Sequence, residues 1–184
     1  MHVILLSGKR CVGKDEVKKI LQTLFKNSIG LSLADECKRM YAIENDLDSN
    51  LLINNRKYKE IYRNGLTEFY EKSQQEDEFF FELYVDTIIK TLNNDIVIIP
   101  DIRTNNNLNF FSSLYESDCT TIRINSDVEE KCKRGWVQSD YDKSVIETEL
   151  DSIKNWDYII QNDGSLEELI DAVNIIGDDI KNSL

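Results

Sequence analysis

Short apolar runs alternate with amphipathic stretches along this 184-residue chain. The runs at 3–6 and 96–99 contain only Val, Ile and Leu, and the second predicts a strand buried on both faces. Apolar residues three and four positions apart predict helices between such runs. The pattern predicts five strands: 2–7, 29–33, 96–99, 120–124 and 157–160.

The predicted helices fill most of the sequence between the strands. In the helix at 78–92, an aromatic cluster predicts packing against a core. Ser165 and Glu168 form an S-x-x-E capping box that opens a final helix. Residues 46–55 and 138–143 are polar, and the first stretch predicts a loop. The predicted helices are 14–25, 35–44, 56–72, 78–92, 108–115 and 145–153, with a basic helical turn at 131–134, and the core positions expected in 78–92 are Phe79, Phe80, Leu83, Ile88 and Leu92.

The alternation of strands and helices predicts an α/β fold. It implies a central five-stranded parallel sheet covered by helices on both sides, in a three-layer α/β/α arrangement. Neither an internal repeat nor a linker interrupts the pattern, so a single domain over 1–184 is expected. In such a fold the ligand binds at the carboxyl ends of the strands.

The stretch 8–15 has the sequence GKRCVGKD and lies between the first strand and the first helix. It matches the phosphate-loop pattern G-x-x-x-x-G-K-[S/T], except that Asp15 replaces the hydroxyl residue. The loop's backbone N–H groups and the helix N-terminus would bind phosphate, and Lys14 would reach the β and γ phosphates. A carboxylate can also hold magnesium. The alternative is a glycine-rich turn that binds no ligand, but the flanking strand and helix favour a nucleoside triphosphate site. In such a site Gly8 and Gly13 would allow sharp turns of the backbone. Lys9 and Arg10 would add positive charge.

Charge and cysteine content narrow the function classes. The net charge of −12 argues against general binding to nucleic acid or anionic membranes, so a phosphate site must come from local clusters of cations. The four cysteines lack C-x-x-C spacing, and His2 is the one histidine, which argues against a zinc site. We therefore expect reduced thiols in a cytoplasmic compartment. The first apolar run is too short for a signal peptide, and no run has transmembrane length.

Further charged residues lie where phosphoryl transfer would need them. Asp101 and Arg103 follow the buried strand, where a carboxylate could hold magnesium or its waters. Lys131 and Arg134 lie three residues apart and predict a lid, at about 127–150, that closes over the phosphates. For each, an ordinary turn or exposed surface is the structural alternative. Asn162 follows the last strand and is either a turn residue or a contact to the base.

The predicted helix at 56–72 carries a basic stripe. Arg56, Lys59 and Arg63 are three and four residues apart, so they would line one face of a helix. Surface helices often carry such cations as a solvated face. In a chain this acidic, the cluster also fits an anionic second substrate.

With these parts in place, the chain resembles the animal-type phosphomevalonate kinases, a branch of the phosphate-loop nucleoside monophosphate kinase superfamily. The resemblance covers nearly the whole length, and the Asp at the end of the phosphate loop is shared with that family. It rests on these stretches: Ser7-Gly8-Lys9-Arg10 with Gly13-Lys14-Asp15, Tyr58-Lys59-Glu60 with Arg63, Asp101 with Arg103, Arg134-Gly135-Trp136-Val137, and Asp157-Tyr158-Ile159-Ile160-Gln161-Asn162.

The resemblance implies ATP-dependent phosphorylation of mevalonate 5-phosphate to the diphosphate, with Mg²⁺. The expected partner is a small phosphorylated substrate, and we expect a monomer or weak homo-oligomer. The implied catalytic residues are Lys14, Asp15, Arg103 and Arg134. ATP would contact Gly8, Lys9, Arg10, Cys11, Gly13, Lys14, Lys131, Arg134 and Asn162. The acceptor would contact Lys59, Arg63, Asp101 and Arg103, and the metal would contact Asp15 and Asp101.

The chain also departs from the family pattern. Basic residues of the family are replaced by Cys11, Ser32, Gln74 and Thr104, and each lost charge-assisted contact is worth roughly 1.5–3 kcal/mol. Two alternatives therefore stay open. One alternative is a deoxynucleoside monophosphate kinase of the phage type. That group also has the Gly-Lys-Asp loop ending, and residues 100–103 and 162–169 of this chain resemble it. A phosphate-loop scaffold that has lost catalysis is the other.

Overall fold

A computed structural model describes the backbone of all 184 residues and every side chain except those of Arg56 and Tyr141. The chain divides into two compact units, of which the first contains 1–30 and 93–184 and the second 31–92. The helices are α1 (Lys14–Leu24), α2 (Leu33–Glu44), α3 (Ser49–Asn54), α4 (Arg56–Ile61), α5 (Arg63–Glu76), α6 (Phe80–Ile89), α7 (Asn105–Tyr115), α8 (Val128–Lys133), α9 (Val145–Thr148) and α10 (Leu166–Ser183).

The first unit contains a five-stranded sheet in which every pairing is parallel. The predicted five-stranded parallel sheet is thus confirmed. Its spatial order is β2-β3-β1-β4-β5, so β1 lies at the centre, between β3 and β4. The strands are β1 (His2–Ser7), β2 (Ser28–Gly30), β3 (Ile96–Ile102), β4 (Cys119–Asn125) and β5 (Tyr158–Gln161).

The core of the first unit lies between the sheet and helices α1 and α10. Ile4, Ile98 and Ile122 come from three adjacent strands and are fully buried. They pack in one cluster with Val17 of α1 and Val173 of α10. Burying each such side chain contributes about 1.5–3 kcal/mol. This packing fixes the end of β1 and the start of α1, which border the phosphate loop.

The second unit is helical and departs most from the predicted elements. The stretch 46–55 contains α3, because the side chain of Asp48 accepts a hydrogen bond from the Leu51 N–H and caps a helix there. The predicted helix at 56–72 is two helices, α4 and α5, which meet at Tyr62. Ile61, beside the break, is 75% exposed.

The buried face of α6 also differs from the prediction. Phe81, Val85 and Ile89 are buried, whereas Leu83 is 44% exposed. Of the five predicted core positions, Leu83 is wrong and the other four are half-buried. The fully buried face was missed because polar Glu82 and Asp86 lie on it. Phe81 packs against the rings of three neighbours, Phe69, Tyr70 and Phe80.

Two of the positions at which the resemblance led us to expect a basic residue are helix N-caps. The Ser32 side chain accepts a hydrogen bond from the Asp35 N–H and opens α2. Thr104 forms a capping box with Asn107 and opens α7. Both helices begin earlier than predicted because of these caps, and Leu33 is helical rather than part of β2. The capping box predicted at Ser165 and Glu168 is confirmed.

All four cysteines are free, and burial raises the pKa of the Cys37 and Cys119 thiols to about 12. Across the part of the chain that the structure describes, no helix combines the length and the apolar composition that a bilayer crossing requires.

Candidate active site

The phosphate loop joins β1 to α1 at the carboxyl end of the central strand. Gly8 and Gly13 have φ values of 152° and 99°, in the region that glycine adopts without strain. A Cβ on Gly13 would also collide with the side-chain amide of Asn162. Cys11 takes a left-handed conformation, with φ 61°, without being glycine. The sequence pattern therefore marks a loop whose backbone geometry requires its glycines.

Lys14 turns back over this loop. Its Nζ donates hydrogen bonds to the carbonyl oxygens of Gly8 and Lys9, at 2.6 and 2.7 Å. The pKa of Lys14 is lowered to about 8, because burial and, second, the charge of Arg103 outweigh the opposite effect of Glu147, Asp15 and Asp101. The site thus holds the half-buried amine of Lys14, and a bound anion would stabilise its protonated form.

The carboxylates of Asp15 and Asp101 both act electrostatically on the Lys14 ammonium. Asp15 lies in the first turn of α1, and Asp101 is the penultimate residue of β3. Among the side chains that the structure describes, no group of three or more His, Cys, Asp or Glu could hold a metal ion by itself. Magnesium usually takes one or two carboxylates and completes its shell with water and substrate phosphates. The donor set therefore fits Mg²⁺ bound together with a nucleotide.

Residues 139–151, which we call the acidic segment, meet the cations of the loop. Lys9 Nζ lies 2.5 Å from Asp151 Oδ2, and Arg10 Nη1 lies 3.4 Å from Asp142 Oδ1. Most of this stretch falls in the predicted lid, which was expected to bring cations to the phosphates. Instead, its carboxylates pair with loop cations in this structure. Whether the segment moves as a lid stays a prediction.

Glu147 of α9 makes the most buried of these contacts. Its side chain is 1% exposed. One oxygen, Oε2, accepts a hydrogen bond from the backbone N–H of Arg10 at 3.2 Å. The other, Oε1, pairs with the guanidinium of Arg103. Glu147 therefore connects the phosphate loop to the end of β3.

Arg123 is a charged residue of this region that the sequence reasoning missed. It lies on β4, is buried, and donates to Ser7 Oγ and Asp151 Oδ1, both at 2.9 Å. Burial lowers its pKa, whereas Asp151 raises it. The signal was present in the sequence, because an arginine between Ile122 and Ile124 interrupts an apolar strand. A buried charge inside a strand needs a specific partner.

Lys131, Arg134 and Asn162 lie on the β5 side of the loop. Lys131 is buried as a residue, and its Nζ lies 4.5 Å from the ring centroid of Trp136. Arg134 Nη2 donates to the Asn162 carbonyl at 2.9 Å, and the Asn162 side chain donates to the Val12 carbonyl at 2.8 Å. Asn162 thus fastens the end of β5 to the phosphate loop.

A cavity of about 400 Å³ opens beside these residues, within the size range of small-ligand sites. Lys9, Arg123 and Lys131 line it together with carboxylates of Asp127 and Asp151. It therefore presents three cations next to the phosphate loop, which suits an anionic ligand.

Lys59 and Arg63 lie in the second unit. Lys59 is in α4, whereas Arg63 begins α5, so the two do not share one continuous helix. Arg63 donates to both carboxylate oxygens of Glu60, at 2.9 and 2.6 Å. The side chain of Arg56, the third member of the predicted stripe, lies outside the described residues. Contact of Lys59 and Arg63 with an acceptor remains a prediction.

A parallel sheet, a strand–loop–helix phosphate loop and a lysine bonded to that loop define a phosphate-loop nucleotide-binding protein. The family model of phosphomevalonate kinase matches residues 6–117, more than half of the chain. This chain belongs to the phosphomevalonate kinase family.

Two further comparisons cover nearly the whole chain, one by sequence and one by fold. Phosphomevalonate kinase of Drosophila melanogaster is 26% identical over 183 residues, covering 97% of this chain and 96% of the relative. The crystal structure of TT1252 from Thermus thermophilus has a TM-score of 0.56 at 15% identity and covers 97% of each chain, which supports the fold alone. The family resemblance expected from the sequence is confirmed. The chain is therefore an ATP-dependent phosphotransferase for mevalonate 5-phosphate.

Proposed function

We propose that the phosphate loop binds the ATP phosphates and that transfer takes place between Lys14 and Arg103. Loop N–H groups and the N-terminus of α1 would bind the β and γ phosphates. Lys14 would give up its loop carbonyls for phosphate oxygens. Gly8, Lys9, Arg10, Cys11 and Gly13 shape this nest, and Lys131, Arg134 and Asn162 are assigned to the remaining part of the nucleotide.

The reaction needs positioning more than proton transfer. The bond between the γ phosphorus and the β,γ-bridging oxygen breaks, and a new bond forms from an oxygen of the acceptor's phosphate, leaving ADP. A phosphate monoester is already largely dianionic at pH 7, so no base has to remove a proton from the nucleophile. Cations aimed at the transferring group are enough, and Lys14, Arg103 and Arg134 are assigned that role.

Asp15 and Asp101 are the residues we assign to magnesium. Bound Mg²⁺ would neutralise phosphate charge and orient the β and γ oxygens. The carboxylate of Asp15 would take the place of the usual loop hydroxyl. We assign four residues to the acceptor. Lys59, Arg63 and Arg103 would contact its anionic groups, and Asp101 would also contact the acceptor.

The observation that supports this function best is the family match, together with a half-buried lysine inside a phosphate loop. The experiment is ADP release from magnesium-ATP in the presence of mevalonate 5-phosphate or, separately, each common nucleoside and deoxynucleoside monophosphate. We expect turnover with mevalonate 5-phosphate. Turnover with nucleotides alone, or ATP binding without stimulation by any acceptor, would contradict the proposal.

The setting of the enzyme is a further proposal. Four free thiols suit a reducing compartment, so we propose a cytoplasmic enzyme. A monomer or weak homo-oligomer is proposed as the working state. Sedimentation at working concentration tests it, and a tight dimer would contradict it.

A further inference from the structure

We propose that Glu147 is a positioning residue for phosphoryl transfer: its carboxylate holds the Arg103 guanidinium against the phosphate loop. This inference rests on the proposed function, because it gives Arg103 a role at the transferring phosphate. Glu147 itself would touch neither substrate. It would act through Arg103, whose guanidinium it joins to the backbone N–H of Arg10 in the phosphate loop.

The first support is the bridging geometry. The two oxygens of one carboxylate serve two donors that are far apart in sequence, one in the phosphate loop and one just after β3. Arg10 and Arg103 are 137 and 44 residues away from Glu147. Both donors border the place where the phosphate would be transferred. Glu147 therefore sets the distance between the loop and the guanidinium.

The second support is burial. A carboxylate as enclosed as that of Glu147 cannot be left without a cation, because the cost of removing an ion from water is large. The Arg103 side chain is 26% exposed, so it is more open than its partner. A guanidinium has five N–H donors, and the contact with Glu147 leaves others to meet a phosphate. The pair can thus stay formed while Arg103 binds substrate.

The third support is the way in which Arg103 is anchored. Its backbone N–H donates to the Asn107 side chain at 3.1 Å, within the cap of α7. That contact fixes where the side chain starts but not where it points. The Glu147 carboxylate supplies the direction. A displaced catalytic group can lower a rate by about 100-fold even when it moves by only 1 Å.

The test compares Glu147→Gln with Glu149→Gln. An amide has one oxygen, so the new side chain of Glu147→Gln could satisfy Arg10 or Arg103 but would turn its NH₂ group toward the other donor. Glu149 lies two residues away and accepts a single bond, from the Asn105 N–H at 2.9 Å, which an amide oxygen can replace. We expect Glu147→Gln to lower kcat about 10- to 100-fold with little change in KM for ATP, and Glu149→Gln to change kcat less than about threefold.

A double-mutant cycle with Arg103→Met gives the decisive readout. If Glu147 acts through Arg103, the double variant should be no slower than Arg103→Met alone. Independent losses that multiply would overturn the inference, as would equal effects of Glu147→Gln and Glu149→Gln. If the role of Glu147 were merely structural, Glu147→Gln and Arg103→Met would each lower the melting temperature, and their effects on kcat would not show this non-additivity.

Two further controls keep the outcome clear. If Glu147→Gln does not fold, Glu147→Asp keeps the charge but shortens the reach; reduced kcat with an unchanged dissociation constant for ADP supports the inference, and wild-type kcat overturns it. If the wild type phosphorylates a nucleotide instead of mevalonate 5-phosphate, the proposed acceptor is wrong. The same variants then test Glu147 with that acceptor.

Discussion

The phosphate loop and the acidic segment meet at one place in the molecule but arise in different ways. The loop is eight consecutive residues, and its glycines, lysine and flanking elements all agree with one geometry. The acidic segment consists of one short helix and two 3₁₀ turns. Its Asp142, Glu147 and Asp151 become meaningful only through their contacts with Arg10, Arg103 and Lys9.

The difference explains why the cations of the site are not a simple positive patch. In a chain with a net charge of −12, the loop cations Lys9 and Arg10 are paired with carboxylates of the acidic segment. An incoming phosphate must therefore exchange with carboxylates or insert among them. Lys14, which is bonded to carbonyl oxygens, has the most to gain from a phosphate. Changes to the loop should thus have larger effects than changes to the acidic segment.

The largest effect is expected for Lys14→Met. This change keeps the length of the side chain but removes the charge that would contact the transferring phosphate. We expect kcat/KM for ATP to fall by roughly 100- to 1,000-fold, as for loss of one electrostatic donor at a transition state. Steady-state ADP release measures it, with circular dichroism as the control for the fold. Turnover at the wild-type rate would show that the loop is not the catalytic centre.

The next effect concerns Gly13→Ala and the stability of the loop. A Cβ at φ 99° is strained and also meets Asn162, which holds the Val12 carbonyl. We expect the free energy of unfolding to drop by about 2–3 kcal/mol. Urea unfolding measures this change.

Gly135→Ala is the matched control for that prediction. Gly135 also has a positive φ, of 83°, but a Cβ there would meet no described atom within 4 Å. It should lose only the backbone contribution, about 1 kcal/mol. Equal losses at the two glycines would mean that the contact with Asn162 is unimportant.

A third prediction separates stability from activity at Lys14. Because the folded-state pKa is about 8, the folded protein bears the cost of a desolvated charge at neutral pH. Lys14→Met should therefore raise the free energy of unfolding at pH 7 by about 1–3 kcal/mol, since one pKa unit corresponds to about 1.4 kcal/mol. Urea unfolding of both proteins tests this.

The pH dependence gives the sign of the same effect. Between about pH 8 and the usual lysine pKa of 10.5, the unfolded chain keeps the Lys14 proton while the folded protein loses it. The wild type should gain stability relative to Lys14→Met through that window, so the difference shrinks by pH 10. A constant difference from pH 7 to 10 would argue that contacts, and not the charge, cause it.

The smallest effect is expected for Asp151→Asn in the acidic segment. Removing this charge frees Lys9 for phosphate, and the amide oxygen of the new side chain can still accept the hydrogen bond from Arg123. The pair of Lys9 with Asp151 is exposed enough to be worth about 0–1 kcal/mol. We expect ATP to bind about two- to fivefold more tightly by calorimetry. Asp140→Asn is the control, because Asp140 is fully exposed and lies 3.9 Å from Lys143. Weaker binding in Asp151→Asn would mean that the carboxylate holds Lys9 in place for the nucleotide.

The sequence allowed prediction wherever local pattern and tertiary structure agree. The five strands, the phosphate loop and the capping box at Ser165 are such cases. The break between α4 and α5 at Tyr62 could not be predicted, because the helical spacing of apolar residues in 56–72 continues across it. The fully buried face of α6 was not predicted, because Glu82 and Asp86 are buried there although such residues usually lie on the solvent-exposed face of a helix.

The same reasoning explains what was missed at the site. Glu147 lies in a four-residue helix in a polar stretch, and its partners are far away in sequence. No local pattern could have distinguished it from Glu149. Arg123 could have been found, because a cation within a buried strand needs a partner.

The caps at Ser32 and Thr104 have a consequence for how stability is linked to ligand. A cap stabilises the folded chain by about 1 kcal/mol whether or not substrate is present. An arginine that binds substrate stabilises it only through occupancy, by RT ln(1 + [L]/Kd). The contribution of these two caps to stability is therefore the same at every substrate concentration, unlike that of a side chain that binds substrate.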